Sequence, residues 1–573
     1  MTEERGPAAD IEWTRANLRE VLPDLPSPQV MDFLIDTLNR AERHYAGALW
    51  APESELGPIV RIFYGRPYFN VSQLRYLAAL AGTPPARIFR ALGHSGTTSS
   101  EDERRAPRPW KGMLRALPNL MRIMWYQVRL RHFVNTNLAK IRRRQARFAA
   151  LPVASLADAE LSAIAREWVV TSPPELIPIF VLTGVMGFED ALRRILDGVG
   201  VKYDAFVHPW LAAGEKSVSA QQGFDLLRLA RGARAEPATA EYFRGGGALP
   251  GYRERLAGTR FLASFDRFLD EYGHRGPYES DWALPRFRDD PSPILAAIQA
   301  HVRAPDEPDP DAIVAAQERR ARDAWEKFDA RLTTWQRLTV RRRVRWLVQR
   351  IKQMYVWREL YRSELTRVLA AGRRIYLELA SRFAARGWID AADDFYLLTL
   401  GEVAAAIGRG SGEGPRDIVA ARRRDMTEWA ALDMPLMLRE SELGAIRGRA
   451  PAPPIRAQTE LRGLCVSNGV AEGPVVVLRT PDEFGRMQRG AIIVAPATDP
   501  AWTPLFTLAS GLIVEIGGTL SHASTVAREY GLPALANVTD ATRLLRDGDR
   551  VRLDATAGTV TILASTSTAA AAE

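Results

Sequence analysis

The hydrophobic positions of this chain follow a helical spacing over most of its length. Apolar side chains recur three and four residues apart between residues 10 and 436, and clusters of proline and glycine interrupt the pattern at residues 22–28 and 304–310. The spacing predicts a large all-α region over residues 1–445, with a break between two lobes near residues 303–311. We find no internal repeat that would indicate a solenoid.

Short apolar runs with strand-like composition begin beyond residue 454. They lie at residues 474–478, 491–495, 512–516, 550–553 and 559–563. This alternation predicts a small α/β domain, a β/β/α sandwich, over residues 456–565. The proline-rich residues 446–455 are predicted to be a stiff hinge linker, and residues 566–573 a disordered tail.

One motif in this domain places a histidine at the start of a helix. Residues 517–533 read Gly-Gly-Thr-Leu-Ser-His-Ala-Ser-Thr-Val-Ala-Arg-Glu-Tyr-Gly-Leu-Pro. Either Thr519 or Ser521 can cap the helix, and Gly531 can end it. Free amide donors and the helix dipole would favour a negative charge on His522, such as a phosphoryl group. The alternative is an ordinary capping or half-buried histidine.

Residues 517–534 resemble the phosphohistidine swivelling domain of the phosphoenolpyruvate-utilising enzymes, which include rifampicin phosphotransferase and phosphoenolpyruvate synthase. The shared pattern is Gly-Gly-x-x-Ser-His-Ala followed by Val-Ala-Arg-Glu-x-Gly-Ile-Pro-Ala. The resemblance implies that His522 is the catalytic residue that is transiently phosphorylated. It also implies a supporting role around the phosphate or the imidazole for Gly518, Thr519, Ser521 and Arg528.

Residues 495–504 resemble the segment that these domains place beside the histidine. Thr498 and Asp499 are therefore candidates for positioning the imidazole or the incoming phosphate. The same Thr-Asp-Pro sequence is also a good turn former. Both interpretations stay open at this point.

The helical region resembles the substrate-binding part of rifampicin phosphotransferase at residues 13–17, 65–70, 272–277 and 394–398. In the central loop, His274 is a candidate general base and Arg275 could steady a phosphoryl group. Glu279 and Asp281 are candidate acceptor-binding residues. The alternative is a structural loop in which Arg275 and Asp281 satisfy helix ends.

Charge distribution and cysteine content limit the expected partners and location of the protein. The chain has 77 basic and 68 acidic residues, but its basic stretches at residues 121–148 and 317–350 also carry apolar residues at helical spacing. We therefore expect solvated arginine faces rather than a nucleic-acid or membrane surface. The single cysteine, Cys465, and the absence of a signal-like start predict a cytoplasmic protein. A weaker hypothesis is self-association or membrane contact through the apolar residues 176–188.

The sequence shows no glycine-rich phosphate loop and no segment resembling a barrel. We therefore expect one component of a split phosphotransferase, in which an ATP-grasp partner charges His522 using ATP and Mg²⁺. The expected acceptor is a small aromatic or hydrophobic hydroxyl compound, and no metal or cofactor is expected on this chain itself. The alternative function is a non-catalytic ligand-binding or regulatory homologue. The sequence predicts no oligomeric state.

Overall fold

The computed structural model describes residues 10–48, 56–80, 121, 125, 127–182, 184–245, 251–304, 309–448, 459–519 and 521–564. The predicted tail and residues 449–455 of the predicted linker lie outside these ranges. So do residues 305–308 at the predicted break between the lobes.

Helices dominate the chain up to residue 430. Their bounds are Ala16–Arg19, Pro28–Ala48, Val71–Leu80, Leu130–Ala149, Asp158–Thr171, Pro173–Leu182, Val185–Asp197, Tyr203–Ala212, Val218–Ala235, Pro237–Arg244, Tyr252–Arg255, Arg260–Tyr272, Ser292–Arg303, Pro310–Arg331, Thr334–Ala385, Leu400–Arg409 and Pro415–Ala430. Short 3-10 helices follow at Ala392–Leu397 and Glu440–Gly448.

The helix Thr334–Ala385, called the long helix below, is the longest described helix of this region. It has 52 residues, and a capping box formed by Thr333 and Gln336 fixes its start. Side chains from Val344 to Phe383 are buried along it. Trp282 stacks on Tyr376 of this helix with ring centroids 4.7 Å apart, which holds the loop that follows Tyr272 against the helix.

The prediction of an all-α region is wrong in one respect, because the helices are joined by a small sheet. Strands β1 (Glu12–Thr14), β2 (Val60–Phe63), β3 (Arg66–Asn70) and β4 (Met437–Arg439) pair in the order β2-β3-β1-β4. Tyr64 and Gly65 have φ of 49° and 72° and form the two-residue turn between β2 and β3. Strands of three to five residues carry too little periodicity to be seen in the sequence, and Trp13 pairs with Leu438 from the far end of the region.

The C-terminal region is a small α/β domain, as predicted. Its strands are β5 (Glu460–Arg462), β6 (Leu464–Ser467), β7 (Val470–Val477), β8 (Ile492–Ala495), β9 (Gly511–Val514), β10 (Ala534–Ala536), β11 (Arg550–Asp554) and β12 (Thr559–Ala564). They form one sheet in the order β5-β12-β11-β7-β8-β9-β10-β6, in which the neighbours from β7 to β10 are parallel. Its helices are Thr503–Phe506, His522–Tyr530 and Ala541–Leu544, and 3-10 turns lie at Pro481–Arg486 and Pro500–Trp502.

This α/β domain is packed firmly against the helical region. Trp502 and Phe506 belong to the same cluster of buried apolar residues as Phe265 and Ile298 of the helical region. A hydrogen bond of 2.7 Å joins the His301 Nε2 and Thr507 Oγ1 atoms across the same contact. The docked arrangement therefore buries one continuous apolar core between the two regions.

The apolar residues 176–188 are involved in packing. Leu182 and Val185 are buried in the main core of the helical region. In the parts of the chain that the structure describes, we find no helix with the length and apolar character needed to cross a membrane.

Candidate active site around His522

The helix His522–Tyr530, called the histidine helix below, begins as the sequence indicates. Of the two candidate caps, Ser521 is the one used, and its hydroxyl accepts a hydrogen bond from the Ser524 amide at 3.3 Å. Gly531 has a φ of 69° and ends the helix in the left-handed conformation. His522 is therefore the first residue of the helix.

The imidazole of His522 lies at the contact between the two regions and is only 1% exposed. Its Nε2 atom is 3.2 Å from the Thr503 hydroxyl, and its Nδ1 atom is 3.9 Å from a carboxylate oxygen of Glu359 on the long helix. Burial lowers the pKa of His522, and the nearby Glu359 carboxylate only partly offsets this effect. The docked histidine is therefore neutral at pH 7, the form that acts as a nucleophile.

Glu359 is fixed by a short hydrogen-bonded chain. The Ser219 hydroxyl donates to Glu359 at 3.2 Å, and Arg275 donates to Ser219 at 2.9 Å. Burial alone would raise the pKa of Glu359. The nearby His522 imidazole and the charges of Arg358 and Arg362 outweigh burial and lower the pKa below its ordinary value. Glu359 is therefore a carboxylate aimed at Nδ1.

Several buried polar atoms around this pair have no hydrogen-bond partner within the described residues. They are Arg275 Nε, both carboxylate oxygens of Glu279, Glu359 Oε1, Thr498 Oγ1 and His522 Nδ1. Glu279 does form an ion pair with Arg362, at 3.5 Å. Because buried polar groups in proteins are almost always paired, this cluster of donors and acceptors suits a polar ligand.

Asp499 has the turn role that its sequence allows and also contacts the helical region. One carboxylate oxygen accepts from the Ala501 amide at 2.9 Å, as in a turn, and the other accepts from the Tyr278 amide of the helical region at 2.5 Å. Burial raises the pKa of Asp499 to about 7. Asp499 thus joins the two regions one turn away from Thr503.

Arg528 supports the loop before the histidine. Its guanidinium donates to the Thr519 carbonyl at 2.7 Å and stacks over the Tyr355 ring at 4.9 Å. The Gly518 carbonyl accepts from the Ser521 amide and the Ser524 hydroxyl, at 3.0 and 2.6 Å. Arg528 therefore folds back onto the loop, where it holds a backbone carbonyl.

In the central loop of the helical region, some residues fit the catalytic interpretation and others fit the structural one. The His274 Nε2 atom is 3.1 Å from the Ser363 hydroxyl, and burial lowers the pKa of His274 well below its ordinary value, so its ring is neutral. Asp281 accepts from the Ser27 amide and hydroxyl at 2.7 and 2.8 Å, at the start of the helix Pro28–Ala48. The structural interpretation therefore holds for Asp281, while Arg275 and Glu279 lie in the cluster around His522.

Sequence reasoning did not identify several residues of this site. Glu359 and Arg362 lie inside a helix of 52 residues, and Ser219 lies in no motif. Thr503 lies in the family-like segment 495–504, but only Thr498 and Asp499 were candidates there. Glu20 is also buried here, near Arg358 and Arg362, and burial raises its pKa to about 8. The sequence signal for these residues was weak, because a polar helical residue can be assigned to a buried site only once it is known which face of the helix is buried. Across the described ranges, no three acidic, histidine or cysteine side chains are grouped as a metal site.

Two segments of the chain match known protein families. Residues 179–359 match the fourth domain of rifampicin phosphotransferase, and residues 487–558 match the mobile domain of phosphoenolpyruvate-utilising enzymes. The first match ends at Glu359, and the second contains His522.

Similar whole proteins include rifampicin phosphotransferases, in agreement with these family matches. Rifampicin phosphotransferases of Streptomyces sp and Streptomyces sviceus are 30% and 28% identical, over 61% and 71% of this chain and 40% and 49% of their own lengths. The prodigiosin synthesizing transferase PigC of Serratia marcescens is 31% identical over 52% of this chain and 33% of its own. The chain thus spans less than half the length of these relatives. Among solved structures, aconitase X of Thermococcus kodakaraensis covers 18% of this chain and 98% of its own, at 23% identity and a TM-score of 0.16, too low to indicate a shared fold.

These matches confirm the resemblance seen in the sequence. The chain combines a segment of the rifampicin phosphotransferase type with a mobile domain of the phosphoenolpyruvate-utilising enzyme family.

Proposed function

We propose that this chain is a phosphotransferase component in which His522 carries a phosphoryl group to an acceptor hydroxyl. The observation that carries the proposal is the neutral, buried imidazole of His522 held opposite Glu359 of the helical region. The names of the Streptomyces relatives add support, since they describe phosphotransferases acting on rifampicin. The acceptor of this chain is proposed to be a small aromatic or hydrophobic hydroxyl compound.

The charging step is assigned to an ATP-grasp protein that binds ATP and Mg²⁺. The neutral Nε2 atom attacks phosphorus, so that a P–N bond forms while a P–O bond of the donor breaks. Nε2 is proposed as the nucleophile because, when the phosphorylated histidine docks, Nδ1 faces the Glu359 carboxylate, which favours a proton on Nδ1.

Transfer to the acceptor takes place in the docked arrangement. The acceptor oxygen attacks phosphorus, and the P–N bond breaks. Glu359 keeps the proton on Nδ1, so that the imidazole leaves as a neutral group. Arg275 and Arg362 stabilise the charge on the phosphoryl oxygens, and the neutral His274 is proposed to accept the proton of the acceptor hydroxyl.

A donor cannot reach Nε2 while His522 is docked, because the imidazole is buried between the two regions. The α/β domain must therefore leave the helical region to be charged and return to it for transfer. The contacts that hold it are polar at Asp499 and apolar around Phe506.

The test is intact-protein mass spectrometry after incubation with Mg²⁺-ATP and a candidate ATP-grasp protein. We expect an acid-labile adduct of roughly 80 Da on the wild type, and none on His522→Asn. His132→Asn is the matched control because His132 is exposed and distant from the motif, and this variant should be labelled fully. No adduct with a partner shown to be active would reject the proposal and favour the non-catalytic ligand-binding alternative.

A further inference from the structure

The first turns of the long helix carry two apolar faces. Val344 and Leu347 are buried against the core. On the opposite side, Trp335, Leu338 and Trp346 are 72%, 65% and 56% exposed. At about 100° per residue these three side chains fall on one stripe roughly 80° wide. A helix that packs on a protein core needs only one apolar face. Trp346 packs edge-on against Phe188 with ring centroids 5.7 Å apart, but more than half of each of these three side chains stays exposed.

A neighbouring helix extends this exposed stripe. The helix Leu130–Ala149 runs parallel to the long helix, since Arg350 donates to the Gln127 carbonyl and Arg142 pairs with Glu364 at 2.8 Å. The residues just before that helix therefore lie beside the exposed stripe. Three of them are large, apolar and exposed: Met121 by 65%, Trp125 by 49% and Val128 by 81%.

The exposed apolar side chains are concentrated at this place. Twelve large hydrophobic residues of the described chain are exposed, and six of them are the ones just named. Among the described residues, the three exposed tryptophans all belong to these six. We call the surface formed by Met121, Trp125, Val128, Trp335, Leu338 and Trp346 the tryptophan face.

The helix segment that carries Trp335, Leu338 and Trp346 is strongly basic. Residues 334–350 contain six arginines and no aspartate or glutamate. Arg341 pairs with Asp329 at 2.8 Å, and Arg345 lies over the Trp325 ring. Arg342 and Arg343 form no ion pair within the described residues, and Arg342 lies on the stripe between Leu338 and Trp346.

We propose that the tryptophan face binds the surface of an anionic membrane. Tryptophan favours the boundary between headgroups and acyl chains, and arginine beside it attracts anionic lipid. A helix with an apolar stripe and a basic surround lies in the plane of that boundary. This proposal differs from the sequence-based expectation for residues 317–350, because only the structure shows that a second apolar stripe is exposed.

This surface is separate from the site around His522. Trp346 and Glu359 are thirteen residues apart on one straight helix, about 20 Å along its axis. A membrane bound at the tryptophan face would therefore leave docking at Glu359 unobstructed. The proposal does not depend on phosphotransfer.

The test uses the full chain and vesicles made of phosphatidylcholine and phosphatidylglycerol at a ratio of about 70 to 30. We expect the wild type to co-sediment with these vesicles at low salt, and more weakly with pure phosphatidylcholine vesicles or at high salt. The triple variant Trp335→Ser, Leu338→Ser, Trp346→Ser should bind at least about tenfold more weakly. Each of Arg342→Gln and Arg343→Gln should weaken binding about fivefold. Leu436→Ser with Leu563→Ser, two exposed residues elsewhere, should bind like the wild type.

A second measurement covers the case in which the triple variant folds poorly. Lipids brominated in their acyl chains should quench wild-type tryptophan fluorescence by contact with the exposed rings. Quenching with anionic vesicles supports the proposal. No co-sedimentation of the wild type, or binding that the triple variant retains, overturns it. In that event, binding to an acidic protein surface would be the better account of the arginines.

Discussion

Glu529, near the end of the histidine helix, accepts hydrogen bonds from both the amide and the hydroxyl of Ser217, at 3.0 and 2.5 Å. Ser217 caps the helix Val218–Ala235, so the histidine helix is attached at its C-terminal end to the start of a helix in the other region. Asp499 makes the second such attachment, to the Tyr278 amide. His522 lies in the contact that these two carboxyl groups support, so they help to give the docked histidine one defined position.

Glu359→Gln should separate the two half-reactions. The amide keeps the shape of the side chain but loses the charge that holds the Nδ1 proton. We therefore expect transfer from phosphorylated His522 to the acceptor to slow by about 10²–10³-fold, while charging of His522 changes little. Single-turnover decay of the phosphorylated protein measures this difference. Glu364→Gln is the matched control on the same helix, since Glu364 pairs with Arg142. Equal slowing of both half-reactions would contradict the assigned role.

Gly223→Ala should push the domains apart. A methyl group at Gly223 would lie 1.8 Å from the Tyr530 hydroxyl oxygen of the histidine helix. We expect docking to weaken by about 1–3 kcal/mol. Faster amide hydrogen exchange in the helix His522–Tyr530 would report the loss. Gly232→Ala in the same helix meets nothing within 4 Å and should stabilise the protein by about 0.5–1 kcal/mol. Similar exchange in both variants would show that Tyr530 does not hold the contact.

Arg528→Lys should loosen the loop that precedes His522. A lysine cannot both stack on Tyr355 and donate to the Thr519 carbonyl in the way a planar guanidinium does. We expect faster hydrogen exchange over residues 517–524 and slower transfer, with charging preserved. Arg543→Lys is an exposed control in the same domain, paired with Asp540 at 3.2 Å. Unchanged exchange in the Arg528 variant would argue against this role.

Docking should strengthen as pH falls through neutrality. Burial raises the pKa of Asp499 to about 7 in the docked state, against 3.8 for an ordinary aspartate. The docked state therefore binds more protons between these two values, and docking is weakest above pH 7. The negative charge of Glu279 also raises the pKa of Asp499, and the positive charge of Arg362 lowers it. His522 and Glu529 are two further titratable groups in the same contact.

The comparison of wild type with Asp499→Asn isolates the contribution of this one carboxyl group. Small-angle scattering between pH 5.5 and 8.5 should show the wild type becoming more extended as pH rises. The variant should show a flatter profile, because it has no carboxyl proton to lose at this position. Identical profiles would show that Asp499 does not couple docking to pH.

The sequence alone determined the local structure around His522. The glycine pair, the cap at Ser521 and the stop at Gly531 act over a few residues, so the start of the histidine helix could be predicted without a fold. The strand-like runs of the C-terminal domain and the helical spacing before it were equally local signals.

Only the tertiary structure decided what faces the histidine. Glu359 and Ser219 are separated from His522 by up to some 300 residues, and nothing in their own surroundings marks them as partners. The small sheet that joins Trp13 to Leu438 was hidden for the same reason. Contacts between distant segments depend on how whole faces pack, and a periodic pattern shows that a face is apolar without showing what covers it. The tryptophan face is the clearest case, because its apolar stripe became distinct from the core only when the opposite side of the long helix was seen to be buried.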